Sequence, residues 1–170
     1  MQKLVHLADG VSTVCGRYTS YLIVPMIAVI VLTACLRYFF DIAVDWGFET
    51  SLFLYGIHGF LGGSYVLMTK GHICVDIVPM HLPARWRRYL QLFSFGVVLA
   101  VALIMTWLGC IWAWKSTMIW EHSIHQTAFN PPIWWFKWVV PMAAAMVALQ
   151  AVAEMVRMSA SASEETREAR

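Results

Sequence analysis

Residues 69–88, TKGHICVDIVPMHLPARWRR, bring together Lys70, His72, Cys74, Asp76, His81 and three arginines. If a short helix starts after Gly71, His72 and Asp76 fall at i and i+4 and can bond on one face. A His–Asp pair catalyses acyl transfer by activating a nucleophile. No Ser or Thr lies between 70 and 88, and Cys74 projects away from both partners on such a helix. As a metal site, the pair is short of the four ligands a structural site takes. The loop WEHSIHQTAFNPP (120–132) places Glu121 beside His122 and His125 at i, i+3. That spacing suits a metal, but three ligands without a fourth or a rigid scaffold specify none. The residues thus predict neither an enzyme nor a metal centre, and no cofactor is expected.

The elements that must carry these residues are set by hydropathy. Of 170 residues 60% are hydrophobic and 13% charged, and the mean hydropathy is +0.65. Soluble domains carry about 25% charged residues, so lipid is the expected solvent. A span of about 30 Å takes about 20 helical residues, and four runs qualify, at about 18–38, 47–69, 89–114 and 134–157. A soluble bundle would need polar stripes at helical period, which spans one and three lack. The expected fold is therefore an all-α integral membrane protein with four transmembrane helices, residues 1–158 forming one domain. An interfacial segment joins helices 2 and 3, and 159–170 is a polar tail. Leu32-Thr33-Ala34-Cys35 matches a lipoprotein cleavage pattern, but three further spans follow, and it is read as part of span one. The four cysteines are scattered and define no disulfide framework.

Lys and Arg set the orientation. Nine of the twelve (Lys3, Arg17, Lys70, Arg85, Arg87, Arg88, Arg157, Arg167, Arg170) fall on the side of the termini and the 70–88 segment. The termini are therefore expected in the cytoplasm, with Arg85, Arg87 and Arg88 facing anionic lipid headgroups. Lys70 and Gly71 suit a helix C-terminus, and Pro83 interrupts the segment beyond them. The whole stretch reads as a joint lying along the membrane. Seven tryptophans (46, 112, 114, 120, 134, 135, 138) gather at the opposite interface.

Within span two, Glu49, Gly56 and Gly63 lie seven apart and stay nearly in line, with Gly59 on the same side. Gly59-x-x-x-Gly63 permits close helix approach, either inside the subunit or against a partner. Arg37 ends span one and Glu49 opens span two across a short loop, so an ion pair between them is expected. A carboxylate with such a partner is a poor proton carrier. His58 is the span histidine, and a second at similar depth, which bis-His haem ligation requires, is missing. A hydrogen bond to a neighbouring hydroxyl or carbonyl is expected instead.

KGHICVDIVPMHLP resembles the K/R-G-H-I-x-V-D…L-P signature of the small membrane subunit of TRAP transporters, the DctQ-like family. Arg37, Glu49, Gly62-Gly63-Ser64 and PPIWWFKWVVPM extend the likeness over about residues 35–150. The resemblance implies a four-span, non-catalytic scaffold in a bacterial inner membrane. Its implied partners are a large membrane transport subunit, which holds the substrate and sodium sites, a periplasmic substrate-binding protein and membrane lipids. Nucleic acid is not among them. Sodium-driven uptake of organic acids is the implied function. The nearly uncharged spans agree, because a substrate pathway needs polar, discontinuous helices. A second reading is a haem-carrying anchor subunit of a membrane oxidoreductase.

Overall fold

A computed structural model describes residues 2–42, 44–69, 84–123 and 129–168. The elements are α1 (Gln2–Tyr21), α2 (Ile23–Phe40), α3 (Asp45–Met68), α4 (Ala84–Met118), α5 (Trp134–Lys137) and α6 (Val139–Glu168). Among the described residues four helical stretches are long and apolar enough to cross a membrane: Ala8–Phe40, Asp45–Met68, Tyr89–Met118 and Trp134–Met158. The all-helical, four-span class expected from hydropathy is the class observed. The first helical stretch begins at Gln2, well before the expected start near Tyr18.

Proline chemistry explains the division of that stretch into two helices. Pro25 has no N–H and cannot bond back to the Tyr21 carbonyl. The chain turns at Leu22, whose N–H reaches the Thr19 carbonyl at 3.1 Å, and α2 restarts with Pro25 in its first turn, where a missing donor costs little. In lipid an unpaired backbone group costs several kcal/mol. The Thr19 carbonyl, freed by the break, also accepts the ring Nδ1 of His58 at 2.8 Å. A carbonyl only accepts, so the proton of that bond sits on Nδ1. Of the two partners expected for His58, a neighbouring hydroxyl or a carbonyl, the carbonyl is the one found.

α1 and α2 together run antiparallel to α3. Gly16 lies against Tyr65 and Gly47 against Thr33; a Cβ built on either glycine would collide with its neighbour's side chain. α6 is the central helix, packed against α1, α3 and α4. Four of its buried positions are alanine (Ala143, Ala148, Ala151, Ala153), which lets neighbouring backbones approach where lipid supplies no hydrophobic drive. α4 meets α6 through Ala102, Gly109 and Ala113, spaced to share one helix face; Gly109 sits under the ring of Pro141. The helices therefore form a row, α2–α3–α6–α4, with α1 laid across α3 and α6.

The row has two unlike margins and two unlike ends. α2 has no buried residue, and much of α4, from Phe93 through Leu103, Ile104 and Trp107 to Trp112, is exposed. At one end, the termini end, α1 starts and α6 finishes. The other, the tryptophan end, carries Trp46 on α3, Trp112 and Trp114 on α4 and Trp134 and Trp135 on α5. Of the expected joint, Lys70, Gly71, His72, Asp76 and Pro83 lie outside the described residues, as does the greater part of the interfacial segment. Arg85, Arg87 and Arg88 lie on the first turns of α4.

Candidate functional site

Two polar clusters stand at opposite ends of the row. At the termini end, α1 and α6 are joined by a closed network. Ser12 donates to Gln150 Oε1 at 3.0 Å, and Gln150 Nε2 donates to Asp9 Oδ1 at 3.1 Å. Arg157 then bridges Asp9 and Glu154. Gln150, Ser12 and Glu154 are buried. Each buried group needs its partner, because an orphaned one costs about 1–3 kcal/mol and a charged one more. Sequence reasoning missed this network. Its signal was present: Gln150, Glu154 and Arg157 share one face of α6, and Ala8, Ser12, Gly16 and Thr19 share one face of α1.

The cluster at the tryptophan end is built across a longer sequence distance. After α4 the chain turns at Trp120, whose φ is 49°, and residues 121–123 run beside 131–133. Ser123 N–H bonds to the Pro131 carbonyl at 3.0 Å and Ile133 N–H to the Glu121 carbonyl at 2.9 Å. This clip places the Ser123 hydroxyl 2.5 Å from Glu49 Oε1, and Glu121 Oε2 2.5 Å from Lys137 Nζ. The Lys137 ammonium holds the Glu121 carboxyl below its ordinary range. Phe53 packs on Trp135 and Phe136 with ring centroids 5.2 and 5.0 Å apart. A cavity of about 300 Å³ opens among Glu49, Leu52, Phe53, Ser123, Phe136 and Lys137.

The expected Arg37–Glu49 ion pair is not formed. Arg37 is exposed on the last turn of α2, while Glu49 is 1% exposed and turned toward Ser123. Proximity along the chain brought the two helix ends together but did not set their rotation. Asp41, in the left-handed region at φ 55°, ends α2, and α3 begins four residues later with the Glu49 face turned to the interior.

The glycine face divides. Gly56 receives the ring of Phe136, whose Cζ occupies the space a Cβ would take, and Gly63 faces Val147. Both serve packing within the subunit. Gly59 has nothing within 4 Å and is exposed, so it lies apart from the packed face that Glu49, Gly56 and Gly63 share. His122 is exposed beside Glu121, and no group of three His, Cys, Asp or Glu capable of holding a metal forms among the described residues.

Ser12, Gln150, Asp9 and Arg157 tie α1 to α6, and Glu49 and Ser123 tie α3 to the loop after α4. That combination defines a helical, multi-pass membrane component in a class whose exposed margins await lipid or protein. The family model described as "Tripartite ATP-independent periplasmic transporters, DctQ component" matches residues 26–160. The chain belongs to that family and is thus a small-subunit component of a TRAP transporter. No curated protein matches it.

Proposed function

We propose that this chain is the non-catalytic scaffold of a sodium-coupled secondary transporter that imports organic acids delivered by a periplasmic binding protein. The complex sits in a bacterial inner membrane with both termini of this chain in the cytoplasm. The large membrane subunit carries substrate and sodium; this chain widens its footprint and anchors its static part. The observation that carries the reading is the contrast between engaged polar groups and bare apolar margins. The charges of the termini end are paired within the subunit, Arg157 holding Asp9 on α1 and the buried Glu154 on its own helix, while α2 has no buried residue and much of α4 is exposed. A bilayer covers such faces without help, but a second membrane protein covers them with shape.

Co-expression with its large subunit tests this. The two chains are expected to co-purify at fixed stoichiometry in mild detergent. A small chain that elutes alone, or carries solute across liposomes by itself, overturns it. Tags at either terminus are expected to be reachable from the cytoplasmic side only.

A further inference from the structure

The helical stretch α1–α2 is weakened at one place. Thr19 Oγ1 donates back to the Cys15 carbonyl at 2.6 Å and Ser20 Oγ to the Gly16 carbonyl at 2.7 Å. Back-bonding of this kind bends helices. The Leu22 N–H takes the carbonyl of Thr19, three residues back, and Pro25 donates nothing. These features fall together between Thr19 and Pro25 and make a hinge. At that hinge His58, reaching over from α3, donates to the Thr19 carbonyl.

The face that α1 turns inward is small. Among the described residues it buries Ala8, Ser12 and Thr19, and Gly16 receives the Tyr65 ring, while Val11, Val14, Tyr18 and Tyr21 are exposed. In lipid such a face is held by packing and by interhelical hydrogen bonds. α1 has polar bonds at both ends: His58 at the hinge, and the Ser12–Gln150 and Asp9–Arg157 contacts with α6 toward the N-terminus. The row beneath has joints of its own, with Gly47 against Thr33, Gly56 against Phe136 and Gly109 under Pro141. We infer that α1 is a hinged strap with two fasteners, His58 and the Arg157 network. With both undone it swings away from α3 and α6, while the row α2–α3–α6–α4 stays assembled.

The experiment measures spin-label distances in the full chain in lipid nanodiscs, with labels on non-natural amino acids so that the cysteines stay untouched. Gly10 on α1, with nothing within 4 Å, and Ile30 on α2 report the hinge. Ile30 and Leu103 on α4, 50% and 55% exposed, report the row. Gly10 lies about 18 Å up the helix from Leu22, so a swing of about 20° moves it by about 6 Å. His58→Phe keeps a ring and removes the donor, and Arg157→Gln removes the cation. Wild type and each single variant are expected to give one Gly10–Ile30 distance. The double variant is expected to add a population displaced by about 6 Å or more, with the Ile30–Leu103 distance unchanged. His58→Asn carries an amide N–H near the position of the ring Nδ1, and with Arg157→Gln it is expected to restore the single distance. A double variant that keeps the wild-type distance overturns the strap, as does one in which both distances move together. A second population in either single variant overturns the pair of fasteners, and failure of His58→Asn to restore overturns the part given to His58.

Discussion

The two ends of the helix row dispose of their charges differently. At the termini end Asp9, Ser12, Gln150, Glu154 and Arg157 close on one another, so the cluster is finished within the subunit. At the tryptophan end Lys137 and Glu121 pair, yet one Glu49 oxygen is buried with no hydrogen-bond partner among the described residues. A closed network locks α1 against α6. An incomplete one leaves a buried acceptor unmet. The difference separates a polar junction that is satisfied from one that keeps an unmet acceptor.

The largest effect expected to break this contrast is at the closed end. Arg157→Ala leaves Asp9 and the buried Glu154 without their cation. Breaking a buried pair costs about 3–5 kcal/mol, and the partial exposure of Arg157 brings the expected loss to about 3 kcal/mol, measurable by unfolding in detergent. A loss below about 1 kcal/mol would make the network decorative.

Next comes the glycine face. Gly56→Ala drives a methyl into the Phe136 ring, and overpacking of this kind costs about 1–3 kcal/mol. Gly59→Ala meets open space and is expected to stabilise the isolated chain by about 0.5–1 kcal/mol through helix propensity. Equal effects at the two positions would mean that span two has no packed and bare sides.

The smallest effect is in acid. The folded Glu121 carboxyl titrates below its ordinary value of 4.5 because of Lys137. Its contribution is therefore whole above that value and is lost as pH falls through the folded one. Because both side chains are partly exposed, the step is expected to be about 0.5 kcal/mol. It should vanish in Glu121→Gln, as read from melting temperature against pH.

How much of this was legible depends on range. Hydropathy alone gave the four spans, because lipid demands about 20 apolar residues in a row and tolerates few exceptions. That His58 would bond to a neighbouring hydroxyl or carbonyl followed from the same constraint, since a lone polar ring in lipid needs a partner. Which of the two it takes, the Thr19 carbonyl, did not follow. What failed was rotation. Arg37 and Glu49 are neighbours in sequence, and the loop between them, with its left-handed Asp41, leaves one facing outward and the other inward. The partner of Glu49 is Ser123, 74 residues away, delivered by a loop whose clip at 121–133 carries no local signature. The Asp9–Arg157 tie was hidden because residues before about 18 lay outside the expected spans; the stripe at Ala8, Ser12, Gly16 and Thr19 was the available signal. Gly56 and Gly59, grouped together by phase, were separated by Phe136. His72 and Asp76, central to the family resemblance, lie outside the described residues, and the match over 26–160 supports their family context.

The central claim is that this chain supports transport without handling substrate. Sodium-driven uptake into proteoliposomes tests it most directly, with the large subunit and binding protein present and this chain added or withheld. The account predicts no uptake by the small chain alone, weak or absent uptake without it, and restored uptake with unchanged substrate preference when it is added. Uptake by the small chain alone, full uptake in its absence, or a substrate preference altered by its mutation would contradict the account.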